Sequence, residues 1–121
     1  MMDSQTTIET LKKKAVAFRD ARNWRQFHDA KNLAAALSIE SAELQEIFLW
    51  KKNEEVDELV KSDSGHKKIK EEMADVMMFL LYLSEACGID LSDAVDEKIS
   101  INSEKYPVDK SFNSHKKYTD L

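Results

Sequence analysis

An all-α fold is the expectation for this chain, on three observations. Glycine occurs twice and proline once among 121 residues, so few positions are marked as turns or breaks. Apolar residues recur at the i, i+3, i+4 spacing of amphipathic helices through most of the length. Two stretches sustain that period over many turns: Asn32–Trp50 (NLAAALSIESAELQEIFLW) and Lys67–Cys87 (KKIKEEMADVMMFLLYLSEAC). The length suits one domain spanning 1–121, with a tail from about residue 108 that lacks a period and is either disordered or laid across a neighbouring subunit.

The first helix is expected from about Thr7 to Arg22, with Ile8, Leu11, Ala15 and Phe18 on its apolar face. Thr6 is the expected N-cap, with Glu9 completing a capping box. Lys12, Lys13, Lys14, Arg19 and Arg22 form a solvated outer face. No helical period survives in residues 23–31, where Trp24, Phe27 and His28 sit among charged residues. Two interpretations fit these rings. They cap the core, or they form a base-stacking wall with a polar reader. Asp29 is the expected N-cap of the second helix, which ends at Trp50, an aromatic placed to close the mouth of a pocket.

Residues 51–66 are polar and are expected to be the most mobile loop, with a short helix allowed by Val56, Leu59 and Val60. Gly65 and its neighbouring serines mark a turn. The third helix stops at Gly88, and Cys87 is expected in the core. Its run Val76–Leu83 is apolar nearly all round, which predicts a helix–helix subunit interface and therefore an oligomer. A fourth helix starts at Asp90 or Ser92, carries Leu91, Ala94, Val95 and Ile99 as its core stripe, and ends near Tyr106 before Pro107. Lys98, Asn102 and Lys105 share one of its faces, either as plain solvated groups or as a row for phosphate oxygens.

The chemistry lies in two carboxylate couples. On a helical wheel Leu33, Leu37, Leu44 and Ile47 share a face, Glu40 lands in the middle of it, and Glu43 lies about 60° away. Glu72 and Asp75 repeat the three-residue spacing on the third helix, on the side that also carries Phe79. Carboxylates on a core face are costly unless they are paired or hold a metal. Four inward acids point to a hard divalent cation ligated by oxygen, such as Mg²⁺. Glu46 lies further round, as a surface acid or a partner for lysine or water.

Three meanings compete. A di-iron bundle needs Glu-x-x-His pairs, and none of His28, His66 and His115 lies three residues after a glutamate. A purely structural module needs bases interleaved with the acids, and the apolar faces carry none. Metal-dependent attack on a phosphate ester needs little beyond the carboxylates, because the cation neutralises and orients the phosphate. A net charge of −5 argues against a nucleic-acid polymer as partner. One cysteine and an N-terminal stretch without a signal-like apolar run make a cytoplasmic location the expectation. Val76–Leu83 is too short to span a bilayer, so no membrane partner is expected.

The motifs FRDARNWRQFH, KNLAAALSIESAELQEIFLW, EEMADVMMFLLYL, INSEKYP and KKYTDL resemble the MazG-type all-α nucleoside triphosphate pyrophosphatases, and most of all the short dCTP pyrophosphatase-like branch. The resemblance runs from about Phe18 to the C-terminus. It implies a four-helix-bundle-like core completed by oligomerisation, commonly as a homotetramer built from two dimers. It also implies cleavage of a (deoxy)nucleoside triphosphate between the α and β phosphates, giving the monophosphate and pyrophosphate.

Residue by residue, the resemblance makes Glu40, Glu43, Glu72 and Asp75 the Mg²⁺ ligands, with Mn²⁺ as a substitute. Trp24, His28 and Trp50 match the base pocket, and Phe27 and Phe79 help to line it. Lys31, Lys98, Asn102, Lys105 and Tyr106 match positions near the triphosphate. The general base is either Glu43 or Glu46. Many family members open the first motif with two glutamates; here Ile39 precedes Glu40, so the extra metal site proposed for all-α dUTPases is not carried over. A cytosine or modified-cytosine nucleotide is the expected substrate, in a house-cleaning role. The non-enzyme alternative is a helical oligomerisation or nucleotide-binding module with a silent acid cluster.

Overall fold

The computed structural model describes residues 1–121 and is entirely helical, without a strand. It consists of two compact units, residues 1–88 and 89–121.

The first unit is organised on one long helix. After a 3₁₀ turn at Asp3–Gln5 come α1 (Ile8–Asp20), a second 3₁₀ turn at Arg25–Phe27, α2 (Ala30–Glu46), α3 (Asn53–Lys61) and α4 (Asp63–Cys87). Helices α1, α2 and α3 all pack on α4, and α2 does so most extensively. Ala15, Leu33, Ile47, Leu81 and Tyr82 are the buried apolar side chains where these helices meet. No helix is long and apolar enough to cross a membrane.

Local hydrogen bonds explain the helix limits. Thr7, not Thr6, caps α1: its Oγ1 accepts from the Thr10 N–H at 3.1 Å, and Glu9 instead pairs with Lys13 at 3.5 Å. Asp29 caps α2, accepting from the Asn32 N–H at 2.8 Å. The Asn32 amide also donates to the Phe27 carbonyl at 3.3 Å, which ties the aromatic turn to the start of α2. Helix α2 stops at Glu46, four residues before its expected end. Residues 47–49 switch to i→i+3 bonds, and Trp50 adopts a left-handed φ of 65°.

The segment 51–66 holds the short helix that Val56, Leu59 and Val60 allow, as α3, and runs through Ser62 straight into the first turn of α4 in place of the expected mobile loop. The Ser62 hydroxyl donates to the Leu59 carbonyl at 3.0 Å and accepts from the Gly65 N–H at 3.1 Å, capping α4. Gly65 marks a close approach rather than a bend, because a Cβ there would overlap the Leu59 carbonyl. Gly88 ends α4 in the left-handed region, at φ 65°. Cys87 beside it is exposed rather than in the core. Within Val76–Leu83 only Leu81 and Tyr82 are fully buried in the single chain, and Leu80 is exposed.

The second unit holds α5 (Leu91–Lys105), α6 (Val108–Ser111) and a 3₁₀ turn at Tyr118–Asp120. Asp90 caps α5, accepting from the Asp93 N–H at 2.9 Å, and Tyr106 closes it before Pro107. The Tyr118 ring meets Tyr106 edge-on at 5.9 Å and lies under the Lys105 ammonium at 4.8 Å, so the tail docks on the end of α5. The expected core stripe of α5 is only half realised. Leu91 and Ala94 are partly buried, whereas Val95 and Ile99 are 58% and 59% exposed in the single chain.

Candidate metal and nucleotide site

The acids gather where α2 crosses α4. Because the two helices run antiparallel, the middle of α2 faces the middle of α4. One carboxylate oxygen from each of Glu40, Glu43 and Glu72 lies within 4.8 Å of the others. Asp75, one turn further along α4, is exposed and adds its charge to the field at Glu40.

This cluster is electrostatically frustrated. Burial pushes the Glu40 carboxyl up to about 7, helped by its hydrogen bond with Glu43 and by repulsion from Glu43, Asp75 and Glu72. One oxygen of Glu40 and one of Glu72 are buried without a hydrogen-bond partner. The ion pairs of the chain involve Glu9, Asp20, Glu71 and Glu85, and none of the four site acids. A donor set made only of carboxylate oxygens, two of them orphaned, fits a hard divalent cation and does not fit a structural salt-bridge network.

A ring cluster lies at the N-terminal end of α2. The His28 ring packs on Tyr82 at 4.9 Å and on Phe79 at 6.4 Å, and those two rings meet edge-on at 6.0 Å. Burial, and then the Arg19 charge, lower the His28 pKa, which keeps the imidazole neutral; its Nδ1 is buried without a partner. Trp24 meets Phe18 edge-on at 5.8 Å and remains 42% exposed, while Phe27 is largely exposed.

Trp50 is 93% exposed beyond the other end of α2. The 17 residues of that helix span about 25 Å, so a single chain does not bring Trp24 and Trp50 onto one base. Lys31 is exposed in the first turn of α2. Lys98, Asn102, Lys105 and Tyr106 belong to the second unit, where Lys105 and Tyr106 hold the tail through Tyr118.

Glu46 is exposed and lines a cavity of about 410 Å³ together with Glu43, Glu72, Leu59, Lys51 and Lys68. The two lysines were missed as site residues, although Lys68 lies one helical turn before Glu72. Arg19 departs from the solvated face expected for it. It is 1% exposed, not solvated, and its guanidinium binds Glu85 at 3.0 Å and Asp20 at 2.9 Å. The available signal was its position four residues after Ala15, on the buried side of α1. Tyr82 was also missed; it backs His28, and its hydroxyl donates to the Ala15 carbonyl at 3.0 Å.

The fold and site define an all-helical protein with an oxygen-only carboxylate cluster between two antiparallel helices, flanked by a ring cluster. The chain belongs to the MazG-like family, whose model matches residues 35–121. It is 38% identical to cattle (Bos taurus) dCTP pyrophosphatase 1 over 118 residues, covering 98% of this chain and 70% of the relative. It is 36% identical to the human (Homo sapiens) dCTP pyrophosphatase 1 over 117 residues, covering 97% and 69%. A solved pyrophosphatase from Archaeoglobus fulgidus superposes with a TM-score of 0.75 at 41% identity, covering 82% of this chain and 91% of that one.

Proposed function

We propose that this chain hydrolyses nucleoside triphosphates to the monophosphate and pyrophosphate, with a cytosine or modified-cytosine deoxynucleotide as the preferred substrate and Mg²⁺ as the cofactor. The observation that carries this is the convergence of Glu40, Glu43 and Glu72 within 4.8 Å, without a basic partner. Similarity to dCTP pyrophosphatases over nearly the whole chain supports the substrate class.

Glu40, Glu43, Glu72 and Asp75 are the residues that would hold the cation. Bound there, Mg²⁺ supplies charge neutralisation at the phosphate oxygens and polarises the attacking water. Glu46, exposed in the adjoining cavity, is the better candidate to take the proton of that water, because Glu43 is occupied within the cluster. The rings of His28 and Phe79, backed by the buried Tyr82, offer faces and one neutral imidazole to the base, and Trp24 and Phe27 extend that surface. On the family resemblance, Lys31, Lys98, Asn102, Lys105 and Tyr106 are proposed contacts to the triphosphate.

The working form is proposed to be a homo-oligomer, a dimer of dimers. Exposed Met73 and Leu80 on α4, and Val95, Ile99 and Ile101 on α5, are apolar surface of the kind an assembly covers. If both tryptophans serve one base, they come from two copies. A cytoplasmic role in clearing unwanted nucleotides completes the proposal.

The test is pyrophosphate release from a panel of dNTPs and NTPs, normal and base-modified, with Mg²⁺ and with EDTA. Mg²⁺-dependent release, fastest for the cytosine deoxynucleotides, is expected. A folded oligomer that releases none would overturn the proposal.

A further inference from the structure

The cavity of about 410 Å³ beside the acid cluster extends past the cation ligands and carries none of the rings assigned to the base. Glu43 and Glu72 belong to both the cluster and the cavity wall, so the cavity opens directly beside the cation position. Its other charged walls are Glu46, Lys51 and Lys68. Lys51 follows the turn that ends α2, and Lys68 stands on α4 one turn before Glu72. Neither lysine is in an ion pair, whereas the neighbouring Lys67 binds Glu71 at 3.5 Å.

The antiparallel pairing of α2 and α4 sets an order along their junction. The His28–Phe79–Tyr82 rings lie at one end, the acids in the middle, and the two lysines at the other end. A nucleoside triphosphate has the same linear order of base, scissile phosphate and terminal phosphates. The wall also sets a condition. Three carboxylates outweigh two ammonium groups, so a bare phosphate is repelled. One divalent cation at the cluster reverses the sign and leaves the lysines free to bind oxygen.

We infer that Lys51 and Lys68 form the subsite for the two terminal phosphates of the triphosphate, the part that leaves as pyrophosphate, and that this subsite takes its anion only together with a divalent cation. The inference deepens the hydrolytic reading above and rests on it.

Inorganic pyrophosphate is the probe, and calorimetric binding to the full chain is the readout. The wild-type protein binds pyrophosphate in Mg²⁺ and not in EDTA. Each of Lys51→Ala and Lys68→Ala weakens that binding about tenfold, and the double variant loses more. Lys51→Arg with Lys68→Arg restores it, and Lys67→Ala leaves it unchanged. Retained Mg²⁺ stabilisation of the double variant against heat shows that its cation site is intact. Pyrophosphate binding as tight in the folded double variant as in the wild type, or equal wild-type binding in EDTA, overturns the subsite. If the wild type releases no pyrophosphate from any nucleotide yet binds it in this lysine- and Mg²⁺-dependent way, the hydrolytic reading fails and the subsite stands. Release by the wild type, with binding indifferent to the lysines, has the opposite meaning.

Discussion

Glu40 on α2 and Glu72 on α4 each bury a carboxylate oxygen that no donor satisfies, and both reach the same point with Glu43. Leaving buried acceptors unpaired costs about 1–3 kcal/mol each, so this junction is a local cost that a bound cation offsets. The stability of the protein and its chemistry are therefore coupled at one place.

The first prediction follows from that coupling. Mg²⁺ raises the melting temperature of the wild type, and saturation at about a hundred times the dissociation constant contributes about 2.7 kcal/mol. Glu72→Gln loses that rise while keeping its helical circular dichroism. An equal Mg²⁺ effect in the variant would remove Glu72 from the cation site.

The sign of the pH effect can be worked out for Glu40. Its folded pKa, about 7, lies above the ordinary carboxylate value. Without metal, the folded state binds the extra proton more tightly, so ionisation of Glu40 costs stability as pH rises from about 4.5 towards 7. Glu40→Gln removes that cost. In EDTA, the gain in melting temperature of Glu40→Gln over the wild type is expected to be absent near pH 4, to grow through pH 5–7 and to level off above it. His28, with its lowered pKa, acts in the opposite direction in both proteins and cancels in the difference. A gain that is constant with pH would contradict the crowding of these acids.

Glu46 and the cluster acids separate by their signatures. Glu46→Gln lowers kcat by about a hundredfold or more while Mg²⁺ stabilisation persists. Glu40→Ala and Asp75→Ala remove both turnover and stabilisation. Kinetics alongside thermal shift checks this, and normal turnover in Glu46→Gln would pass the base role to Glu43.

The ring pocket predicts changes in KM. Phe79→Ala and Trp24→Ala raise KM more than they lower kcat, and they narrow the preference between bases. Tyr82→Phe removes the bond to the Ala15 carbonyl and costs about 1 kcal/mol of stability, read from denaturant unfolding.

The Arg19–Glu85 pair predicts an asymmetry. Glu85→Ala leaves a buried guanidinium held only by Asp20 and costs about 3 kcal/mol, whereas Arg19→Met, which removes the buried charge itself, costs less. Equal losses in denaturant unfolding would mean that the pair acts only through packing.

The features legible in the residues alone are those that near neighbours along the chain decide. Helical periods, the Asp29 and Asp90 caps, the Gly88 stop and the spacing of the carboxylate couples all depend on residues three or four apart. Those relationships hold whatever the rest of the chain does, and so they could be read in advance. In 51–66 the short helix is legible, but its junction to α4 is not, because Ser62 and Gly65 build it out of residues that otherwise signal a loop. The rest depends on contacts between segments far apart in the chain. Arg19 meets Glu85 across 66 residues, and Tyr82 reaches Ala15 across 67. Lys51 and Lys68 share a cavity only because α2 and α4 pack antiparallel. A charge at the edge of a helical stripe is solvated or buried according to what packs over it, and that partner is not encoded within its own helix.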